Sequence, residues 1–558
     1  MKKRTRVIAL LMGLIMLLGL LAGCGSNTDG PADPHPASPG EQDGQKSADT
    51  QTAPADSVQR EVVSIGSTSE PNTYFPYAAT STSADYVFDF IYDRLVYTDF
   101  NGEFTPRLAD SWESNDDGTV ITFHLNKNVT WHDGEPFTAQ DMVFSAQMAT
   151  NPDTTVTRRS YFASLVGTDD SGVCADPEEL GVVAVDDYTL EYHFKTGVAV
   201  STFLYVDAQR YYPMPYHLLK DIPCSEIESN SYWQSPIGTG PFQFESAVSG
   251  ESATLAANPN YFLGAPHMNK VVFKFLVNTS LAAALMSGDL DVSISDVPMS
   301  DVGLLQQDEN LAADPLPSYK YTYMTINCEK EYFQDIRVRK AINMAINREE
   351  IVQQGLYGFG DIATHSLNRD NPYFNTNIDH DPYDPEGAKA LLEEAGWDFD
   401  RELVFISYET NAARAAATLV IQQNLEAIGM KVRIQNVDWS TLIDMVREGE
   451  SDLSILGGAG SLDPDDSRVL LQVGGAQNFC HIQDPRFYEL SQAGHNALTD
   501  EEKRTYYHQL QQEMYDDPTY IWLYHDNTTP VYNKSIQNVP IEDFLNLNFN
   551  SHTWTFAQ

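Results

Sequence analysis

Residues 106–144 read PRLADSWESNDDGTVITFHLNKNVTWHDGEPFTAQDMVF. Three signals in this stretch decide the kind of fold. Residues 119–125, TVITFHL, alternate apolar and polar side chains, as a strand buried on one face does. Asp133-Gly134, closely followed by Pro136, is a turn. Thr138-Ala-Gln-Asp141 then has the spacing of a capping box, in which a hydroxyl and a carboxylate satisfy the free N–H groups at a helix start. MVFSAQM follows as the helix body. His132, Asp133 and Glu135 could be drawn as a metal or acid–base cluster, but the turn accounts for them more simply.

The same alternation of strand and helix continues outward. EVVSIGS from Glu61 and YTLEYHF (188–194) have strand patterns. Residues 86–98, YVFDFIYDRLVYT, place Val87, Phe90, Ile91 and Leu95 on one helical face. Asp335 precedes a helix whose apolar stripe is Val338, Ile342, Ala345 and Ile346, and Asn347 offers a second cap. Asp384-Pro385-Glu386 opens another helix with proline at its first position. Leu391, Leu392 and Ala395 form its apolar face, and Gly396 ends it. A helix over 411–428, a strand over 431–437, a helix in STLIDMVREGE and a buried strand in DLSILGG follow. Strands alternating with helices predict an α/β fold with partly parallel sheets.

The chain has 558 residues. Single cores stop growing at about 250–300 residues, so at least two folding units are expected. The net charge is −45, from 34 basic and 79 acidic residues. Nucleic-acid binding needs Lys and Arg to neutralise phosphates, so that class is excluded; the acidic excess suits a solvated, exposed protein. Lys2, Lys3, Arg4 and Arg6 precede an apolar run from Val7 to Ala22, shorter than the ~20 residues of a spanning helix. This is the pattern of a secretory signal. Residues 25–60, rich in Gly, Pro, Ser, Asp and Gln, predict a disordered tether. No later segment is apolar enough to span a bilayer. Cys174, Cys224, Cys328 and Cys480 could pair in three ways or stay free.

Catalytic motifs are missing. The chain has no GxxxxGK[ST], HExxH or GxSxG, and neither Gly238-Thr-Gly240 nor Gly358-Phe-Gly360 completes a dinucleotide fingerprint. Asp463-Pro-Asp465-Asp466 lacks the alternating ligands of a calcium loop. No cofactor, metal site or enzymatic activity is expected.

Residues 106–144 resemble a characteristic segment of the family 5 extracellular solute-binding proteins, which include dipeptide- and oligopeptide-binding proteins of ABC importers. Further stretches match in order: 185–194, 236–245, 258–275, 285–292, 333–352, 383–397 and 485–524. Leu21-Ala22-Gly23-Cys24 resembles the lipobox of bacterial lipoproteins. The resemblance implies a signal peptide over 1–24 and a diacylated Cys24 that anchors the protein to the outer face of the bacterial cytoplasmic membrane. It implies a two-lobed periplasmic-binding-protein-like α/β fold of the class II type. Lobe I would span 61–318, with an extra subdomain over about 96–230 and a return at 525–558. Lobe II would span 319–524. The hinge crossings fall near Tyr319–Ile326 and Trp522–Thr529, and the lobes would close on solute between them.

The implied function is capture of a di- or oligopeptide by a monomer that delivers it to an ABC permease and its ATPases. An oligosaccharide or metal complex as solute, and a peptide-sensing receptor role, are the alternatives. In peptide-binding members an aspartate in a G-W-x-A-D type string pairs with the ligand ammonium. Here the aligned string is Gly457-Gly458-Ala459-Gly460-Ser461, with Ser461 at the aspartate position and Gly458 at the tryptophan position; Ile455 stands where an oligopeptide binder has arginine. Either Asp463 or Asp465 substitutes, or the ligand carries no free ammonium. Trp439 matches a cleft-lining tryptophan, and Arg414 lies near where a dipeptide binder holds its ligand's carboxylate. Ser69 and Tyr86 belong to lobe I stretches that face the cleft.

Overall fold

The β-branched and aromatic strands sort into two large sheets, each the centre of one lobe. We describe a computed structural model covering residues 61–205, 208–276, 280–380, 382–408, 411–539 and 549–557. The expected signal segment with Cys24 and the expected tether over 25–60 lie outside the described residues.

The first sheet has seven strands, ordered Leu311–Ala312, Val531–Asn533, Val292–Ser293, Val62–Ser67, Lys270–Phe275, Ser252–Ala257 and Phe242–Val248. Val62–Ser67 pairs in parallel with Lys270–Phe275 and Val292–Ser293, so the chain leaves and returns between neighbouring strands. A four-stranded antiparallel sheet is formed by Ala109–Ser114, Val120–Leu125, Thr189–His193 and Val182–Asp186. Its inward residues Ile121 and Phe123 share one buried cluster with Val63, Ile65 and Phe273 of the first sheet. The two sheets therefore belong to one packed body.

The other lobe is built on six strands, ordered Gly360–Ile362, Tyr520–Asp526, Tyr321–Ile326, Leu453–Gly458, Glu402–Tyr408 and Lys431–Val437. Side-chain alternation along Tyr321–Ile326 sends Met324 and Ile326 into one core and Tyr321 and Tyr323 into another, so both faces are covered. Helices Ile336–Met344, Pro385–Ala395 and Ala412–Ala427 cover one face. Trp439–Arg447, Arg486–His495 and Asp500–Asp516 cover the other. Their caps are those the local strings encode: Asp335, Asn347 and Asp384 each accept a backbone N–H of the first turn, and Gly396 adopts the left-handed conformation. The capping box of Thr138 and Asp141 is formed.

One element differs from expectation. The helix expected over 86–98 is observed as Thr82–Ile91, and Val96–Thr98 is a strand paired with Phe104–Pro106. Apolar spacing would let the helix continue. The chain turns instead at Tyr92 and Asp93, where Gly240 donates to the Ile91 carbonyl and the Thr239 hydroxyl accepts from the Asp93 N–H. A Cβ on Gly238 would lie 2.0 Å from the Ile91 oxygen, so only glycine permits this approach. His132 secures the same loop, its Nδ1 accepting from the Gly238 N–H at 3.0 Å and its Nε2 lying 3.1 Å from the Gly240 carbonyl. Burial pushes its pKa down to about 4, so at neutral pH it acts as a neutral clamp.

The chain crosses between lobes at two adjacent segments. Leu316 and Thr528 form a reciprocal pair of backbone hydrogen bonds, of 2.8 and 2.9 Å, just before Tyr321–Ile326 and just after Tyr520–Asp526. The latter strand runs to Asp526, two residues past the expected end of lobe II at 524.

Candidate functional site

A cavity of about 530 Å³ opens where the lobes meet these crossings. That volume is in the range of small-ligand sites. Lobe I contributes Asp296, Val297 and Met299. Lobe II contributes Arg414, Trp439 and the Gly457–Ala459 end of its central strand. Lys320, Asp526 and Asn527 line it from the crossing segments.

Two glycines shape the lobe II wall. Gly457 and Gly458 pair with Thr322 and Tyr321 across the sheet. A Cβ on Gly457 would meet Arg414 Nη2 at 2.5 Å, and one on Gly458 would meet the Tyr321 ring at 2.4 Å. The guanidinium thus lies against one bare backbone and the phenol against the other. The tyrosine of the neighbouring strand occupies the space beside Gly458.

Arg414 sits in the first turn of Ala412–Ala427, positioned by Asn411, whose side chain caps that helix and accepts the Arg414 N–H at 2.9 Å. Among the described residues the guanidinium forms no ion pair, and its Nε is buried without a hydrogen-bond partner. The Trp439 ring lies 6.0 Å from the guanidinium carbon and edge-on to Tyr408 at 5.5 Å. Trp439 is 41% exposed although large and aromatic, which leaves a flat apolar surface open at the cavity.

Two acids stand opposite. Asp296 is paired with Lys320 at 2.5 Å and accepts from the Thr528 hydroxyl. Asp526 accepts from the Thr322 hydroxyl at 3.3 Å and, among the described residues, forms no ion pair. Burial raises its carboxyl above the usual range; Arg414, Lys320 and the Thr322 hydroxyl oppose this and Asp296 adds to it. The Oδ1 of the adjacent Asn527 is buried and, among the described residues, has no donor. The wall therefore holds an unpaired cation, an unpaired carboxylate and an unfilled acceptor.

The expected site residues divide. Arg414, Trp439 and Gly458 line the cavity together. Tyr86 is half-buried against the lobe I core and feels Asp296, which, after burial, helps push its phenol pKa up. Ser69 is exposed, does not line the cavity and donates to Ser83 at 3.1 Å. Ser461 is half-buried and spends its hydroxyl on the Asp463 carbonyl at 3.2 Å. Asp463 does not reach the cavity: its carboxylate is 1% exposed and holds the fully buried Lys503 ammonium at 2.7 and 2.9 Å. A carboxylate already bound to a buried ammonium is not available for a ligand's. Asp465, its expected alternative, is likewise engaged, with Arg468, His495 and Tyr507 at 2.8–3.0 Å. Burial alone would raise its pKa, but His495 and Arg468 outweigh that and hold the carboxyl below its ordinary range.

Sequence reasoning overlooks Asp296, Lys320, Asp526 and Asn527. The last three lie inside the expected hinge crossings, where charged and amide residues were the available signal. Nothing local marks Asp296. The four cysteines Cys174, Cys224, Cys328 and Cys480 are all free thiols in this structure. No group of metal-ligating side chains occurs among the described residues, and no helix among them is long and apolar enough to cross a membrane.

Two α/β lobes joined by paired crossing segments thus leave a polar cavity at their junction. The family model for bacterial extracellular solute-binding proteins, family 5, matches residues 103–479, and the chain belongs to that family. It is 26% identical to the oligopeptide-binding protein AppA of Bacillus subtilis over 88% of this chain and 91% of that one. It is 28% identical to the dipeptide-binding protein of Escherichia coli over 88% and 94%. Its fold matches the crystal structure of the ABC transporter substrate-binding protein CtaP from Listeria monocytogenes with a TM-score of 0.78, at 22% identity, covering 90% of this chain and all of that one.

Proposed function

We propose that the protein captures short peptides between its lobes and delivers them to an ABC importer. The observation that carries this reading is the unsatisfied polar set in the cavity. A zwitterionic peptide offers a carboxylate to Arg414 and an ammonium to Asp526 and the Asn527 carbonyl, with Trp439 against its side chains or backbone. Charge-assisted contacts of this kind are the strong ones. The names of the relatives, an oligopeptide binder and a dipeptide binder, support the same ligand class.

The reading makes the protein a monomeric binder that returns its solute unchanged, with permease and ATPase subunits as its partners. It keeps the lobe limits expected above, and diacylation of Cys24 as the anchor; a Cys24→Ser variant is expected to lose detergent partitioning. Calorimetry with one dipeptide, its N-acetylated form and its C-terminal amide tests the ligand assignment. Each blocked form is expected to bind roughly ten- to hundredfold more weakly, since a hydrogen bond to a charged group contributes about 1.5–3 kcal/mol. Equal affinity of all three forms, or binding of sugars or metal chelates with no response to peptides, overturns it. Mass spectrometry of the recovered ligand checks that it is intact.

A further inference from the structure

We propose that Cys328 and Cys480 form a disulfide in the mature protein, closing lobe II behind its central strand. The two residues are directly bonded through their backbones: the Cys328 N–H donates to the Cys480 carbonyl at 2.9 Å. Along that bridge the Cα atoms are at most about 7 Å apart. Disulfides need Cα separations of about 4.4–6.8 Å, so the pair is within reach with little or no backbone movement. The side chains converge as well. Cys328 Sγ lies 3.5 Å from the Ile326 carbonyl, and the Cys480 thiol is close enough to that of Cys328 that the neighbour adds to burial in raising its pKa.

Both backbones are held in place before any bond forms. Asn327 donates through its side chain to the Gly449 and Ser451 carbonyls at 3.2 and 3.1 Å, and its N–H reaches the Asp452 carbonyl. On the other side Asn478 brackets the turn around Cys480, bonding the Ile482 N–H and carbonyl at 2.9 Å each. His481 fixes the turn again, 2.7 Å from the Val446 carbonyl. Nothing comparable joins Cys174, whose thiol donates to the Asp176 carbonyl at 3.0 Å.

Access differs between the two thiols. Cys480 is fully buried and Cys328 half-buried. The chemistry is therefore ordered. The Cys328 thiolate attacks a sulfur of an oxidising disulfide, such as that of a thiol–disulfide oxidoreductase, and displaces one thiolate. The Cys480 thiolate then attacks the Cys328 sulfur of the mixed disulfide and displaces the second. Two electrons and two protons pass to the oxidant, which leaves as a dithiol. An extracellular solute-binding protein meets such oxidants where a cytosolic protein does not. The bond would enclose about 150 residues, all within lobe II, so it would stiffen that lobe without tying it to the other.

The test uses exported protein purified without reductant, alkylated under denaturing conditions and digested. The expected result is one linked peptide pair containing Cys328 and Cys480, lighter by two hydrogens than the separate thiol peptides and lost on reduction, with Cys174 and Cys224 alkylated. Cys328→Ser is expected to free Cys480 for alkylation and to lower the thermal midpoint as far as reduction lowers that of the unsubstituted protein. Ligand affinity should be unchanged by reduction. Complete alkylation of both residues before reduction, or a link from either to Cys174 or Cys224, overturns the proposal. The peptide map of unsubstituted protein decides it even if the serine variant fails to fold.

Discussion

Two charged clusters lie between the lobes, and one is complete while the other is not. In the first, Lys503 and Asp463 are 0% and 1% exposed, and the ammonium gains a third acceptor, the Thr202 hydroxyl of the opposite lobe, at 2.6 Å. Beside it Asp500 Oδ1 accepts from Ser201 across the interface and from Tyr373 within its own lobe, both at 2.6 Å. In the second, around the cavity, Arg414 and Asp526 have no ionic partners among the described residues and Asn527 has an empty acceptor. Desolvating a charge is expensive unless its partners are supplied. The first cluster supplies them from the chain; the second leaves room for them to arrive with a ligand. Acidic residues of similar appearance in the sequence thus do different work.

The largest effect is expected where the complete cluster is broken. Asp463→Ala leaves the Lys503 ammonium buried and unpaired, which costs about 3–5 kcal/mol of stability. Asp463→Leu with Lys503→Met removes both charges and should recover most of that loss. Urea unfolding of the three proteins measures it. A single variant within about 1 kcal/mol of the parent would mean that water already reaches the pair.

The incomplete cluster should respond in the opposite way, losing affinity and keeping its stability. Arg414→Ala should weaken peptide binding roughly ten- to hundredfold with little change in unfolding, because no ion pair is lost. Arg414→Lys should recover only part, since it keeps the charge without the planar fork. Asp526→Asn should cost a similar factor for free peptides and little for N-acetylated ones. Its pH dependence has a definite sign. The folded-state pKa of Asp526 is raised, so in the free protein the anion is disfavoured, and acidification through that pKa relieves this destabilisation. Binding of an ammonium needs the anion, so affinity should fall as pH drops through the same range. Calorimetry across pH, with Asp526→Asn as the flat control, separates this from titration of the peptide.

How much of this is legible beforehand depends on how local the cause is. The caps at Thr138, Asp335, Asn347 and Asp384 are read correctly because their partners lie two or three residues away. The helix end at Ile91 is misread because its cause, the loop at Thr239 and Gly240, is distant in sequence. Arg414, Trp439 and Gly458 are picked out as candidates through strings that resemble a family. Asp296 and Asp526 are not, because they meet only after the chain has crossed twice between lobes. That Asp463 is already engaged is hidden for the same reason: its partner arrives on the helix Asp500–Asp516.

A smaller effect should follow from filling the space beside the central strand. Gly458→Ala places a methyl 2.4 Å from the Tyr321 ring, whose hydroxyl end must move. Overpacking of this kind costs about 1–3 kcal/mol, here near the lower end because the clash is with the tip of a side chain. Adding Tyr321→Ala should relieve the clash, so the double variant should be less destabilised than the two single losses together. Strict additivity would mean that ring and glycine are energetically independent.

The smallest effect is expected at Ser461, although it marks the clearest departure from the family string. Its hydroxyl makes one local bond, to the Asp463 carbonyl, and does not line the cavity. Removing it should change stability by no more than about 0.5 kcal/mol and peptide affinity by no more than about twofold. The contrast with Asp526→Asn is the informative part. If the ligand ammonium binds at the crossing segment, the serine position is silent and the aspartate of the hinge strand is not. A tenfold loss in Ser461→Ala, with Asp526→Asn unaffected, would return the ammonium to the loop after Leu453–Gly458. It would also mean that this loop rearranges on binding, because the Asp463 carboxylate beside it is already held by Lys503.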